Sequence, residues 1–281
     1  MSESPTCRYD MPAVFGPSRL AAREFVPEVE AVVVTFETTR EAIERLLPAF
    51  YRPGENARVS LSRMVYRGVS YLGMRGYEEL VVGLDAVYDG PDGYIAAPYM
   101  PVLWVSDVAA ITAGRELMGY AKVAGELPPV LEGKDERSFS CLEFGTRLLS
   151  ARAYNLAPLS SDALGRINRG AATSQALGWK YIPAVGGGAD ADYPTLIINR
   201  WEYAEAWSGE GSFEFFAPSA AEAPTSARIV AALAQLPVVT MRRSFVARGT
   251  GIVDRAATRR LRLPADIGSG LDHQLQESVV G

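Results

Sequence analysis

The distribution of apolar and polar residues along the chain predicts many short strands. Val29–Phe36 is a run rich in β-branched residues, which is typical of a buried strand. Over Val59–Val65 apolar residues alternate with polar ones, as expected for a strand that is buried on one face only. Further strands are predicted over Tyr77–Tyr88, Arg147–Tyr154, Leu177–Pro183, Thr195–Ala206 and Val238–Val246.

Three segments between these strands carry the signals of helices. Thr38 and Glu41 form a capping-box pattern ahead of an apolar stretch that ends at a proline. A second helix is predicted over 106–117, with Asp107 able to cap it, and a third over 226–236. Because the strands outnumber the helices and no repeat is present, the fold class predicted is α+β, with one domain built around a curved sheet or barrel.

The domain is expected to span residues 1–254. A proline-rich segment near the N-terminus, Met11–Pro17, is expected to form a docked extended arm. From Arg255 the sequence becomes basic and then polar, so residues 255–281 are expected to form a loosely ordered C-terminal tail.

Composition excludes several kinds of partner. The net charge of −5 argues against a nucleic-acid backbone as a ligand. No stretch of about 18 apolar residues is present, which argues against a membrane-spanning helix. The N-terminus lacks the basic and apolar regions of a secretory signal. We therefore expect a cytoplasmic protein.

The chain contains few side chains of the types that commonly act as nucleophiles, general bases or metal ligands. The only histidine is His273, in a polar stretch, and the only cysteines are Cys7 and Cys141, so a histidine-based triad and a zinc centre are not expected. We expect no metal and no organic cofactor. Of the 28 basic residues only three are lysines, and these are Lys122, Lys134 and Lys180.

Lys122 is distinguished from the other two lysines by its apolar surroundings. The residues around it from Leu117 to Gly125 carry no other charge. Burial disfavours an ammonium ion and favours the neutral amine, which attacks carbonyl carbon to form an imine. The alternative from composition alone is a lysine that packs its stem on apolar surface and extends its charge into water. Lys134 lies in a charged turn, and Lys180 follows a tryptophan on a predicted strand.

The segment around this lysine resembles a known family. Gly114-Arg115-Glu116-Leu117 followed by Tyr120-Ala121-Lys122 is similar to the Gly-Arg-Glu-Leu/Ile-x-x-Tyr-Pro-Lys segment of the acetoacetate decarboxylase family. Other landmarks of that family follow in the same order over roughly residues 11 to 250. They are the Met11–Pro17 arm, Tyr77-Glu78-Glu79, Trp179–Pro183, Glu205–Gly209 and Leu236-Pro237-Val238.

The resemblance implies a fold and a set of site residues. The fold is an acetoacetate-decarboxylase-like, cone-shaped β-barrel with surrounding helices, which assembles into a homo-oligomer. The Schiff-base lysine maps onto Lys122, and the catalytic glutamate maps onto Glu79, or onto Glu78 if the alignment slips by one residue. The arginine that the family carries near its N-terminus maps onto Arg23.

Two positions depart from the family pattern. Val123 stands where the family decarboxylases have a second lysine, and Ala121 replaces the proline before the reactive lysine. Because the second lysine would supply a cation beside the nucleophile, its loss leaves desolvation alone to activate Lys122.

The predicted function is a cofactor-independent lyase that acts on a small keto acid through an imine at Lys122. The simplest reaction is decarboxylation of an acetoacetate-type β-keto acid. The alternatives are a pyruvate aldolase-dehydratase or a hydratase of an unsaturated 2-keto acid, a barrel that binds a small ligand without turnover, and a purely structural oligomer. Glu79 is expected to transfer protons, and Arg115 to bind the substrate carboxylate unless it forms a structural ion pair.

Overall fold

The strands of the chain form one sheet, part of which closes into a ring. The computed structural model describes residues 9–16 and 20–263. The strands are β1 (Arg23–Glu37), β2 (Arg52–Pro53), β3 (Arg58–Val69), β4 (Arg75–Gly90), β5 (Gly93–Val105), β6 (Lys122–Ala124), β7 (Leu131–Glu132), β8 (Arg137–Glu143), β9 (Thr146–Pro158), β10 (Ser174–Pro183), β11 (Ala189–Phe215), β12 (Thr240–Met241), β13 (Ser244–Asp254) and β14 (Arg259–Arg260).

Seven of these strands pair in the order β10–β5–β4–β3–β1–β13–β11, and β11 pairs again with β10. The pairings within this ring are antiparallel except for the single contact between β5 and β10. Strands β9, β8 and β7 extend the sheet from β11, while β6 lies parallel to β5. This closed sheet with few helices confirms the predicted α+β class.

The helices are short and lie between the strands. They are α1 (Arg40–Glu44), α2 (Val108–Ala113), α3 (Ser161–Ala171) and α4 (Ala227–Leu233), with 3₁₀ turns at Ala13–Phe15 and Ser70–Leu72. The side chain of Thr39, one residue after the predicted cap, accepts a hydrogen bond from the backbone N–H of Ala42. Asp107 caps α2 as predicted. Helix α3 was missed, although Ser160 caps it. Among the described residues, no helix has both the length and the apolar character needed to cross a membrane.

The two faces of the sheet carry different apolar clusters, because successive side chains of a strand point to opposite faces. The first cluster includes Val32, Val34 and Phe36 of β1, together with α1, α4 and residues of β8 and β9. The second includes Val29 and Ala31 of the same strand, together with residues around α2. We refer to these sides as the first face and the second face of the sheet.

The ends of the described chain differ from the expectations. Residues 255–263 are not loose, since β14 pairs with β11 and Leu261 is fully buried. At the N-terminal end, Ala13–Phe15 forms a turn instead of an extended arm. The side chains of Val14 and Phe15 are largely exposed, so the apolar residues of this segment do not dock on the domain. Pro17, Cys7, His273 and the rest of the expected tail, 264–281, lie outside the described residues.

Candidate active site

Lys122 begins β6, and a tight turn of the preceding chain brings it there. Helix α2 continues into a π-helical turn at Gly114–Met118, and Gly119 then takes a left-handed conformation with a φ of 82°. The backbone N–H groups of Gly119 and Tyr120 both donate to the carbonyl of Gly114. A Cβ at Gly114 would lie 2.5 Å from Cδ of Lys122, so a glycine is needed for the lysine stem to cross this turn.

The ammonium group of Lys122 forms an ion pair with Glu79 of β4. Each residue is only 5% exposed to solvent. The hydroxyl of Tyr66 donates to the other carboxylate oxygen of Glu79 at 3.4 Å. The ring centroids of Tyr77 and Tyr120 each lie 5.4 Å from Nζ of Lys122. The lysine is therefore held between a carboxylate and two aromatic rings, out of contact with bulk water.

The tyrosines of the site stay protonated over the ordinary pH range. Burial is the main cause, and the negative charge of Glu79 the second, that raises the phenol pKa well above its usual value in three tyrosines, Tyr66, Tyr77 and Tyr120. Burial likewise raises the pKa of Tyr71 to about 12. These phenols can therefore supply neutral O–H donors to a bound molecule.

A small cavity lies beside Lys122 and Glu79 on the second face of the sheet. Five strands of the ring and α2 contribute to its wall. One part of this wall is a row across three strands, because Val253 of β13 pairs with Glu24 of β1 on one side and with Asn199 of β11 on the other. Arg255 follows two residues after Val253 and also lines the cavity.

Three polar residues of this wall were not identified from the sequence. Glu24 and the side chain of Arg255 are almost fully buried. The amide nitrogen of Asn199 donates to the hydroxyl of Tyr120 at 3.0 Å, while its Oδ1 is buried without a hydrogen bond among the described residues. The register of β1 shifts between Val26 and Val29, so the alternation of the predicted strand did not show which way Glu24 points. No local signal marked Arg255, which was assigned to the tail.

The neighbouring glutamate, Glu78, faces away from the cavity. It forms an ion pair with the fully buried Arg63 on the first face of the sheet. Arg63 also donates to the backbone carbonyls of Leu127 and Pro128 at 3.1 and 3.0 Å. The alternation of β4 therefore separates the two carboxylates, and Glu79 is the one that lies beside the lysine.

The two arginines predicted to bind substrate lie outside this cavity. Arg23 is mostly exposed, and its Nε donates to Asp254 at 3.2 Å. Arg23 begins β1 with its side chain pointing away from the cavity, while the side chain of the next residue, Glu24, points toward it. Arg115 is exposed and lines a second pocket, which Trp179 and Lys122 also line. Within the described residues no acid forms an ion pair with Arg115.

Val123 lies on the opposite face from Lys122. It pairs with Trp104 and packs against the first apolar cluster, whereas Lys122 pairs with Leu103 of the second. A lysine at position 123 would therefore extend away from the cavity. The expectation that its loss removes a cation from beside the nucleophile does not hold for this geometry.

No group of three or more metal-ligating side chains occurs among residues 9–16 and 20–263. Cys141 is buried, and burial raises the pKa of its thiol. The polar groups around the cavity are instead an amine, carboxylates, phenols, an amide and a guanidinium group.

Comparison with known proteins gives a consistent result. The sequence model of the family described as acetoacetate decarboxylase matches residues 10–250. Acetoacetate decarboxylase 3 of Mesorhizobium japonicum is 27% identical over 225 residues, which cover 80% of this chain and 77% of that protein.

Two solved structures show the same fold. A structure of acetoacetate decarboxylase has a TM-score of 0.72 at 17% identity and covers 90% of this chain and 94% of its own. The enduracididine biosynthesis enzyme MppR, complexed with pyruvate, has a TM-score of 0.66 at 18% identity, covering 91% of this chain and 98% of its own. At such low identity these two likenesses establish the fold alone.

Proposed function

The chain belongs to the acetoacetate decarboxylase family, and from that premise we propose that it is a lyase that forms an imine between Lys122 and a small keto acid. The observation that carries the proposal is the buried pair of Lys122 and Glu79 beside a cavity. A buried ion pair contributes little to stability compared with apolar packing. Its position in a cavity is therefore better explained by chemistry than by folding.

The first step is proton transfer from the ammonium group to Glu79, which leaves a neutral amine. The amine attacks the keto carbon, and Glu79 returns its proton to the hydroxyl group of the resulting carbinolamine, which leaves as water and gives a protonated imine. The aromatic rings of Tyr77 and Tyr120 face this cation, as they face the ammonium group. Exclusion of water protects the imine from early hydrolysis.

With a β-keto acid, the bond to the carboxylate then breaks. The electron pair of that bond moves into the imine, carbon dioxide leaves, and an enamine remains. Glu79 then takes up a proton from water and gives it to the enamine carbon, and hydrolysis of the resulting imine releases the ketone and the ammonium form of Lys122. We propose this decarboxylation as the principal reaction, in line with the name of the Mesorhizobium japonicum relative, acetoacetate decarboxylase 3.

The second candidate is chemistry on pyruvate or on an unsaturated 2-keto acid. From pyruvate, the same imine allows loss of a methyl proton, and the enamine attacks an aldehyde, which leads to an aldolase-dehydratase. From an unsaturated keto acid, it activates addition of water. The observation that favours this candidate is that a solved structure of this fold contains pyruvate.

Borohydride trapping separates these reactions. The protein is incubated with acetoacetate or with pyruvate, reduced, and digested with trypsin. Alkylated lysine resists trypsin, so the modified peptide runs from Glu116 to Lys134. An isopropyl group on Lys122 together with release of carbon dioxide supports decarboxylation. A carboxyethyl group from pyruvate, with no carbon dioxide from acetoacetate, supports the second candidate.

Two results would contradict imine chemistry at this site. One is an adduct on Lys134 or Lys180 in place of Lys122. The other is no adduct from either acid, which would favour a barrel that binds a small ligand without turnover. The expected homo-oligomer remains a further proposal, and light scattering of the purified protein measures it directly.

A further inference from the structure

The side chain of Arg255 lines the same cavity as Lys122, although the two residues are far apart in the sequence. Its residue lies just after β13, in a turn that Asp254 holds in place. The carboxylate of Asp254 accepts hydrogen bonds from Arg23, Arg200 and the backbone N–H of Ala257. Burial alone would raise the pKa of Asp254, but these hydrogen bonds hold it below its usual value. The turn that carries Arg255 is therefore fixed by a charged network.

The guanidinium group of Arg255 is buried and only partly used. Its side chain is 6% exposed. Nη1 donates to the carbonyl of Ala21 at 2.9 Å, and the Cζ atom lies 5.5 Å from the ring centroid of Tyr71. Nε is buried and has no hydrogen-bond partner among the described residues. Since a buried donor without a partner is costly, this edge of the guanidinium group is suited to a ligand.

The carboxylate of Glu24 lies near Arg255 but does not bind the Nε edge of its guanidinium group. Oε2 of Glu24 lies 3.8 Å from Nη1 of Arg255, which is too long for a hydrogen bond. The other oxygen of Glu24 accepts from the backbone N–H and the hydroxyl of Ser70. Glu24 thus balances the charge of Arg255 without using its free donor.

The other cations near the cavity have closer partners or point elsewhere. Lys122 pairs with Glu79, and Arg200 and Arg23 pair with Asp254. Among the described side chains that line the cavity, Arg255 is the one cation with an unpartnered buried donor.

We propose that Arg255 binds the carboxylate of the substrate and restricts the cavity to keto acids. This assignment rests on the function proposed above. A carboxylate accepts two parallel hydrogen bonds from the Nε and Nη2 edge of a guanidinium group. A molecule held there presents its keto carbon within the cavity that Lys122 lines, whereas a neutral ketone has no group for Arg255 to bind.

Binding of oxamate tests this assignment without the imine. Oxamate resembles pyruvate, but an amide replaces the methyl ketone, so it forms no imine. Calorimetry is carried out on the wild-type protein and on Arg255→Met, Arg255→Lys and Arg259→Met. The Arg259 variant is the matched control, because Arg259 pairs with Asp92, takes no part in the network of Asp254 and does not line the cavity.

We expect Arg255→Met to weaken oxamate binding about 10-fold or more, and Arg259→Met to leave it within about 2-fold. Arg255→Lys, which keeps the charge but loses the bidentate geometry, should fall between them. Unchanged binding in Arg255→Met, or no binding to the wild type, would overturn the assignment.

Trapping with acetone provides the second readout. Arg255→Met should lose adduct formation with acetoacetate and pyruvate but keep the wild-type yield with acetone. An equal loss with all three would mean that Arg255 supports the structure of the site, and would overturn the assignment. If the wild type traps no ketone but Arg255 still controls oxamate binding, the imine mechanism fails while the carboxylate site stands.

Discussion

Lys122 and Glu79 lie on the two strands that flank β5, opposite residues that are two positions apart. Lys122 pairs with Leu103, and Glu79 pairs with Val105. Because residues two positions apart on a strand share a face, the amine and the carboxylate point to the same side of the sheet and meet across β5. The register of three strands therefore brings the two groups into contact.

The first prediction concerns the stability of this pair. Lys122→Met leaves the buried carboxylate of Glu79 without its cation, so we expect the free energy of unfolding to fall by about 3–5 kcal/mol. Adding Glu79→Met to the same chain removes the unpaired charge and should regain most of that loss. Urea denaturation of the two variants measures both effects. Equal stability of Lys122→Met and the wild type would contradict a desolvated pair.

The second prediction separates the two adjacent glutamates. Glu79→Gln keeps the size of the side chain but cannot transfer protons, so turnover should fall by about 10²- to 10⁴-fold. Glu78→Gln weakens the ion pair with Arg63 on the first face, so it should lower stability and leave turnover nearly unchanged. Steady-state rates and thermal unfolding of both variants check this difference. A larger loss of turnover in Glu78→Gln than in Glu79→Gln would contradict proton transfer by Glu79.

Part of the site could be predicted from the sequence because its signals are local. The apolar surroundings of Lys122 and its resemblance to a family segment were visible in nine consecutive residues. Glu79 was assigned from the resemblance, which left Glu78 as the alternative, and strand alternation separates the two. The segment that follows β13 was misjudged, because its basic and polar composition resembles that of a surface tail.

The rest of the site depends on contacts between distant parts of the chain. Glu24 and Val253 become neighbours only when β1 pairs with β13, more than 200 residues apart in sequence. The position of Arg255 in the cavity follows from that register. Arg23 was assigned from the resemblance, as the arginine that the family carries near its N-terminus, but its side chain is 66% exposed on the outer side of the first strand. A one-residue difference in strand phase therefore decided which residue reaches the cavity.

The third prediction concerns the glycine over which Lys122 packs. Gly114→Ala places a methyl group 2.5 Å from Cδ and 2.7 Å from Cε of Lys122, so the lysine stem must move and imine trapping should fall about 10-fold or more. Gly165→Ala is the matched control, since its nearest neighbour is the flexible end of Arg169 at 3.8 Å. That change should raise helix stability by about 0.5–1 kcal/mol and leave trapping unaffected. Equal trapping by both variants would contradict the close packing.

The fourth prediction follows from the buried phenols. Burial raises the pKa of Tyr71 to about 12 from 10, so the folded state binds the phenol proton more tightly than the unfolded state. Its contribution to stability is complete below about pH 10 and is lost as the pH rises to about 12. The loss from Tyr71 amounts to about 2–3 kcal/mol. Unfolding free energies measured over this range should fall less steeply in Tyr71→Phe. A stability that is constant from pH 10 to 12 would contradict the burial of these phenols.

The last prediction concerns the position where the family decarboxylases have a second lysine. Because the side chain of residue 123 packs with Trp104 on the first face, Val123→Lys adds a cation that cannot reach the amine of Lys122. We expect no increase in the release of carbon dioxide from acetoacetate, and a loss of stability because a charge enters an apolar cluster. Val123→Met is the control, since it has similar length without the charge. A several-fold faster decarboxylation in Val123→Lys, with Val123→Met unchanged, would show that a cation on the opposite face activates Lys122 through the strand.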